Sequence, residues 1–355
     1  ELGLVSPPRG RLGSMSIGAL ARCGLLGCGL WLLLEPALLR AQEAPGAEPV
    51  VIAHRGASGY LPEHTLPAYV LAVGMGADFV EPDLVMTRDG TLIALHDIHL
   101  EATTDVEERF AQRARSDGRW YAVDFSAAEI ATLSVHERTD ERGVPVYPRR
   151  FAGDLPSLRV PTFREVLTTV AELNRLTGCR TGVYPELKEP AFHAEEGLDI
   201  EASLLETLDV AGWEASTVPL VIQSFDPRSL ERVSRRGGPG LQLVQLISAD
   251  ESQDELASAE GLQRIARFAD GIGPSKRRLQ GAEGRALVER ARSLGLMVHP
   301  YTYRADDVGP GHESFEAEVE HAISVLGVDG LFTDHPDRAG AVLSELGRRS
   351  SPCPG

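Results

Sequence analysis

Short apolar runs alternate with amphipathic stretches along most of this chain. Residues 50–53 predict a buried strand, and residues 65–76 predict a helix because their apolar side chains recur on one face. Residues 78–85 and 91–95 are the next predicted strands. The polar, turn-rich stretch 98–160 contains no strand–helix unit, so we predict that it is an insertion.

The alternation becomes regular after the insertion. Residues 162–176 predict a helix, with Thr162 as its cap and Glu165 at the capping-box position three residues later. Further strands are predicted at 181–187, 219–223, 241–247, 270–272, 296–301 and 328–332. Further helices are predicted at 199–211, 227–235, 254–267, 281–293, 314–325 and 335–346.

Strands separated by single helices predict an α/β protein with a parallel sheet. Counting 91–95 as an extra piece after the second strand leaves eight strand units. Eight units close a TIM (β/α)8 barrel, which needs about 250 residues. A doubly wound open sheet is the alternative, but no glycine-rich phosphate loop follows the first strand. We therefore expect residues 50–346 to form a barrel with a small insertion after the second strand region.

Charge and the termini narrow the possible partners and location. The formal net charge of -17 argues against nucleic acid as a partner, since phosphate backbones select for Lys and Arg. Arg22 precedes an apolar run at 23–34, which is too short for a transmembrane span of ~20 residues. Residues 1–41 therefore predict a signal peptide, followed by a linker at 42–49 and a flexible tail at 347–355. The predicted location is periplasmic or secreted, and a lipoprotein anchor at Cys28 is the less favoured alternative.

Only two cysteines, Cys179 and Cys353, remain after such a cleavage. Two cysteines give no disulfide framework, and their pairing in an oxidising compartment stays open at this point.

Carboxylates gather where the second and third predicted strands end. Glu81 and Asp83 are two residues apart and therefore share one face of a strand. Together with Glu186 they offer only oxygen ligands, which suit Ca²⁺ or Mg²⁺. The alternative is that they form structural salt bridges with Arg55 or Lys188.

Two histidines, His54 and His96, each follow a predicted strand near these carboxylates. Histidine can accept or donate a proton near neutral pH, and cleavage of a phosphodiester requires both operations. We therefore predict an acid/base pair, against the alternative that either is an ordinary loop histidine. Arg55 and Lys188 could hold phosphate oxygens.

Several motifs in order resemble the glycerophosphodiester phosphodiesterase family. They are His54-Arg55-Gly56, Pro62-Glu63-His64-Thr65, Glu81-Pro82-Asp83, Leu95-His96-Asp97, Pro185-Glu186-Leu187-Lys188, Gln223-Ser224-Phe225-Asp226, Tyr301-Thr302-Tyr303-Arg304 and Thr333-Asp334. The segment 109–121 resembles the periplasmic, secreted subgroup. The resemblance implies a TIM barrel that hydrolyses small-molecule glycerophosphodiesters to sn-glycerol 3-phosphate and an alcohol.

The resemblance also implies a role for each matching residue. His54 and His96 match the acid/base pair, and Glu81, Asp83 and Glu186 match the metal ligands, with Ca²⁺ typical of this subgroup and Mg²⁺ of others. Arg55 and Lys188 match phosphate contacts. Gln223, Phe225 and Tyr301 match positions that line the glycerol pocket, and Glu63 matches a supporting acidic position.

Metal-assisted displacement at phosphorus is the mechanism that we expect from these residues. One histidine deprotonates a glycerol hydroxyl, the other protonates the leaving alcohol, and water then opens a cyclic phosphate. Two alternatives share most of the site: a phospholipase D of the related toxin type, and a non-catalytic binding scaffold.

Overall fold

A computed structural model of the protein describes residues 48–151, 153, 158–213, 218–238, 240–350 and 352–353. The predicted signal peptide and most of the predicted linker lie outside these residues. The strands are β1 (Val50–His54), β2 (Phe79–Glu81), β3 (Asp83–Met86), β4 (Leu92–Ala94), β5 (Gly182–Val183), β6 (Glu186–Leu187), β7 (Val221–Ser224), β8 (Gln242–Ile247), β9 (Gly271–Pro274), β10 (Met297–Val298) and β11 (Gly330–Thr333). The helices are α1 (Leu66–Gly74), α2 (Val106–Arg109), α3 (Ala127–Ile130), α4 (Phe163–Thr177), α5 (Pro190–Glu195), α6 (Ile200–Val210), α7 (Pro227–Arg236), α8 (Asp254–Ala257), α9 (Ala259–Ile265), α10 (Gly281–Ser293), α11 (Phe315–Glu320), which continues into a π-helical segment (His321–Leu326), and α12 (Pro336–Glu345).

All strands except β4 form a closed parallel barrel. β2 and β3 are two halves of one strand interrupted at Pro82, and β5 and β6 are halves of the next. Parallel pairing joins β11 to β1 and β1 to β2. The two split strands pair with each other through β2 with β5 and β3 with β6. The order then continues from β6 through β7, β8 and β9 to β10. The last gap is bridged by Asp329 N–H, which donates to Val298 O over 3.0 Å, and by Phe332 N–H, which donates to Pro300 O over 3.0 Å. The predicted TIM (β/α)8 barrel is therefore confirmed.

Local sequence explains where individual helices begin and end. Thr162 and Glu165 form the predicted capping box at the start of α4, and Gly178 ends the helix with φ 74°. The single helix predicted at 254–267 is instead two helices, because Ser258 adopts an extended backbone and its side chain accepts a hydrogen bond from Gly261 N–H to begin α9. The prediction of one continuous helix there was wrong.

The insertion between β4 and α4 has an apolar cluster of its own. Its buried members include Leu100, Phe125, Ile130 and Leu133, and they pack against Val85 and Ile93 of the barrel. Full burial of such side chains stabilises a fold by about 1.5–3 kcal/mol each. β4 pairs antiparallel with β3, with Ala94 opposite Leu84, so the insertion leaves the barrel beside the start of β3 and next to Asp83.

The segment predicted as a tail contacts the barrel at the residues that the structure describes. Cys353 forms a disulfide with Cys179. Arg349 lies 3.1 Å from the Asp78 carboxylate, and Ser350 N–H donates to Glu48 Oε2 over 2.8 Å. Within the described residues, no helix is both long enough and apolar enough to cross a bilayer.

Candidate active site

Three buried carboxylates meet at the carboxyl end of the barrel. Glu81 ends β2, Asp83 begins β3, and Glu186 begins β6, where Asp83 and Glu186 are paired in register. One oxygen from each lies within 4.8 Å of the others. This spacing suits a single divalent cation with oxygen ligands.

The charge balance of the cluster also fits a cation. Burial raises the pKa of Glu186 to about 8, and burial and the neighbouring carboxylates raise the pKa of Glu81 well above its ordinary range. The Lys188 ammonium lies 2.9 Å from Glu186 and 3.8 Å from Asp83, and the Arg55 guanidinium lies 3.3 Å from Asp83, so two positive charges face three carboxylates. A bound divalent ion would supply the missing positive charge.

A turn after β1 carries Arg55 into the cluster. Arg55 has φ 59°, a left-handed conformation that points its N–H at Glu81 Oε2 over 2.9 Å. Its guanidinium donates to Glu63 over 3.0 Å and lies 3.3 Å from Asp83. Gly56 follows with φ +81°, and a Cβ there would lie 2.8 Å from the Ala68 backbone, so this approach of turn and helix requires glycine.

His54 is held by the last strand region of the barrel. Its Nδ1 lies 2.6 Å from Asp334 Oδ1, which is consistent with an Nδ1–H donor. Asp334 Oδ2 accepts from Arg150 and from Arg304, each over 2.7 Å. Burial opposes ionisation of Asp334, but Arg304, His54 and Arg150 hold its pKa well below the ordinary range. Burial, with the charge of Arg55, lowers the pKa of His54 to about 4, so the ring is neutral at pH 7.

His96 is held by its neighbour in the chain and by the insertion. Its Nδ1 lies 2.6 Å from Asp97 Oδ1, and Arg138 donates to Asp97 Oδ2 over 2.6 Å. Burial, followed by the charges of Arg55 and Lys188, lowers the pKa of His96 to about 3. Both histidines therefore present Nε2 as the ring nitrogen that is not bonded to an aspartate.

A cavity of about 310 Å³ joins these groups. Nine of the eleven predicted site residues line it: His54, Arg55, Glu81, His96, Glu186, Lys188, Gln223, Phe225 and Tyr301. Asp83 and Glu63 do not line it and instead contact its wall through Arg55. Phe225 and Tyr301 pack edge to face with centroids 5.8 Å apart, and Gln223 Nε2 donates to Glu81 Oε1 over 3.2 Å.

Sequence reasoning missed the groups that hold the histidines. The strand pattern marks Asp97 and Asp334 only as polar residues at strand ends, and it does not single out Arg138 or Arg150. His64 looks like an ordinary loop histidine in the sequence, yet its Nε2 lies 2.9 Å from Asp83 Oδ2. The histidine–aspartate adjacency at 96–97 is the one signal that could have suggested a pair.

Comparison with known proteins adds to this geometry. The model of the glycerophosphoryl diester phosphodiesterase family matches residues 54–338. A glycerophosphodiester phosphodiesterase of Haemophilus influenzae is 34% identical and covers 82% of this chain and 88% of that protein. One of Treponema pallidum is 32% identical over 82% of this chain and 90% of that protein. A crystal structure of a Silicibacter pomeroyi protein with the same family name matches with a TM-score of 0.68 and 27% identity, over 86% of this chain and 97% of that one.

Proposed function

Because this chain belongs to the glycerophosphoryl diester phosphodiesterase family, we propose that it hydrolyses glycerophosphodiesters to sn-glycerol 3-phosphate and an alcohol with a divalent cation and a histidine pair. The chain is an enzyme of the phosphodiesterase class, and the proposal concerns how its residues divide the work. The observation that carries it is the buried carboxylate triad, two of whose members, Glu81 and Glu186, line one cavity together with two histidines that are each held by an aspartate.

Glu81, Asp83 and Glu186 are the proposed ligands of the cation. Ca²⁺ is the expected ion and Mg²⁺ the alternative, since both prefer oxygen ligands. When bound, the cation would polarise the phosphate and make a coordinated hydroxyl more acidic. Gln223 keeps the Glu81 carboxylate oriented through its amide N–H.

His54 and His96 are the proposed acid and base. The aspartate on each Nδ1 favours the tautomer that leaves Nε2 free for proton transfer. One histidine takes the proton of a glycerol hydroxyl as that oxygen attacks phosphorus, and the other protonates the leaving alcohol. Water then opens the resulting cyclic phosphate with the two roles reversed.

Cationic and aromatic side chains are proposed to position the substrate. Arg55 lines the cavity beside the carboxylate cluster, with its Nε 3.3 Å from Asp83 Oδ2, and its guanidinium is the proposed partner of a phosphate oxygen. Glu63 orients that guanidinium, and Lys188 adds a second positive charge. The edge-to-face pair of Phe225 and Tyr301 provides apolar surface for the glycerol carbons.

Export to an oxidising compartment is the proposed location, with the periplasmic, secreted subgroup as the proposed branch of the family. The Cys179–Cys353 disulfide supports it, because such bonds persist outside the reducing cytosol. Cell fractionation with N-terminal sequencing of the mature protein tests this. We expect a start near residue 42 in the exported fraction, and a full-length cytosolic protein would contradict the proposal.

A metal-replacement assay tests the proposed function. Chelation by EDTA should abolish hydrolysis of glycerophosphocholine, and Ca²⁺ or Mg²⁺ should restore it, while sphingomyelin is not hydrolysed. Glu186→Gln should lose the response to metal, and Glu172→Gln, an exposed partner of Arg175, serves as the matched control. Hydrolysis that persists in EDTA, or cleavage of sphingomyelin instead, would contradict the proposal.

A further inference from the structure

Two arginines of the insertion reach into the active site. Arg138 and Arg150 lie twelve positions apart in the chain, outside the barrel strands and helices. Each donates to an aspartate that in turn lies 2.6 Å from a histidine Nδ1. The insertion thus contributes one guanidinium group to each histidine–aspartate pair.

Arg138 links the His96–Asp97 pair to Glu63, the carboxylate that binds Arg55. Its Nη1 donates to Asp97 Oδ2 over 2.6 Å, while Nε and Nη2 donate to the two oxygens of Glu63 over 3.0 and 2.7 Å. Within the described residues, Asp97 forms side-chain bonds only to His96 and Arg138. The orientation of this aspartate therefore depends on the insertion.

Arg150 has a corresponding position at the His54–Asp334 pair, where further side chains hold both Arg150 and Asp334. It donates to Asp334 over 2.7 Å and to Asp306 over 2.8 and 3.0 Å, and its guanidinium lies 3.6 Å from the centroid of the Tyr147 ring. Arg304 donates to the same Asp334 oxygen. Asp334 would therefore keep one guanidinium partner if Arg150 were removed.

We propose that Arg138 and Arg150 are positioning residues of the reaction, which hold Asp97 and Asp334 so that each histidine keeps its Nε2 directed to the cavity. This inference rests on the proposed function of the histidines. A carboxylate with one oxygen on an imidazole and the other on a guanidinium has a fixed orientation, and it fixes the tautomer of the ring. The insertion is thus part of the active site and not only an appended module.

Alanine variants of the two arginines test the inference. Loss of such a supporting contact lowers activity by about 10- to 100-fold. We expect kcat to fall in this range for R138A and by less for R150A, since Arg304 remains on Asp334. The affinity for Ca²⁺ should stay close to wild type in both variants, because neither arginine contacts a carboxylate of the metal triad. KM should stay close to wild type in R150A, whereas R138A also removes two donors from Glu63, which orients Arg55. R142A is the matched control, since Arg142 is exposed and pairs only with Asp140 among the described residues.

Chemical rescue separates positioning from a general structural role. Guanidinium chloride at sub-denaturing concentration should restore part of kcat in R138A and leave R142A unchanged. If R138A does not fold, R138K takes its place: it keeps a positive charge but cannot make the three-pronged contact, so the same fall in kcat is expected.

The possible failures are distinguishable. A wild-type protein without metal-dependent hydrolysis would overturn the proposed function and this inference with it. An active wild type whose folded R138A and R150A variants keep full kcat would overturn the inference alone. A fall in kcat that comes with weaker Ca²⁺ binding and a lower melting temperature, and that guanidinium does not rescue, would show a structural role only. That result would also overturn the inference.

Discussion

The two histidine–aspartate pairs share a geometry but differ in what surrounds them. His54 ends β1 and Asp334 directly follows β11, and their side chains are 11% and 1% exposed. His96 and Asp97 are adjacent in the chain, in the loop after β4, with side chains 31% and 27% exposed. The first pair is therefore held mainly by the barrel, whereas the second depends on the insertion.

This difference indicates which part of the fold holds each aspartate. Asp334 has two guanidinium partners inside the protein, so its charge is compensated and its position is fixed by the core. Asp97 has one, from a segment outside the barrel. We infer that changes near the first pair affect stability and activity together, whereas changes near the second affect activity with little loss of stability.

Replacing the histidines gives the largest expected effect and tests whether the two pairs are equal in chemistry despite unequal surroundings. His54→Ala and His96→Ala should each lower kcat by ~10²–10⁴ with metal bound. The double variant should be little worse than either single one, because the two groups act in the same steps. Turnover under saturating Ca²⁺, with metal affinity measured by calorimetry, checks this. Near-normal turnover of metal-loaded His54→Ala would exclude its assigned role.

Replacing the aspartates should separate the two pairs by stability. Asp334→Asn leaves Arg150 and Arg304, whose side chains are 5% and 18% exposed, facing a neutral amide, so the free energy of unfolding should fall by about 3–5 kcal/mol. Asp97→Asn changes a partly exposed pair and leaves Arg138 bonded to both oxygens of Glu63, so the free energy of unfolding should fall by only about 1 kcal/mol. Urea denaturation measures both, with Asp140→Asn as the exposed control. Equal losses for the two variants would remove the distinction between barrel-held and insertion-held pairs.

The carboxylate of Glu137, the neighbour of Arg138 in the chain, gives the smallest expected effect. Burial, together with Glu63 and Asp334, raises the pKa of Glu137 to about 7, against the opposing charge of Arg150. Because its folded pKa is above the unfolded value of 4.5, this group lowers stability as pH rises between the two values, and the loss is complete above pH 7.

Melting temperatures of Glu137→Gln across pH test this coupling. The variant should gain melting temperature relative to wild type as pH rises from 5 to 8, since glutamine carries no charge to bury. A difference that does not vary with pH would show that folding does not raise the pKa of Glu137.

The barrel and the strand-end residues could be predicted because local sequence determines them. Regular apolar runs locate the strands, and parallel strands bring their carboxyl ends together, so the strand pattern alone is enough to place Glu81 near Glu186. The capping box at Thr162 and Glu165 is likewise a local signal.

The support from the insertion could not be predicted in this way. Arg138 contacts a partner 41 positions away and Arg150 one 184 positions away, both from a polar stretch without periodicity. No rule of spacing says which of several arginines in that stretch turns inward. Arg142 and Arg150 look alike in sequence, yet one side chain is 81% exposed and the other 5%.

A comparison of leaving groups tests the central claim most directly. Each histidine variant is assayed on glycerophosphocholine and on the 4-nitrophenyl ester of glycerol phosphate, whose nitrophenolate leaves without protonation. If one histidine is the acid and the other the base of the first step, one variant should release nitrophenolate at most of the wild-type rate in a single turnover, and the other should remain slow. Equal losses for both variants on both substrates would contradict an acid/base division between His54 and His96.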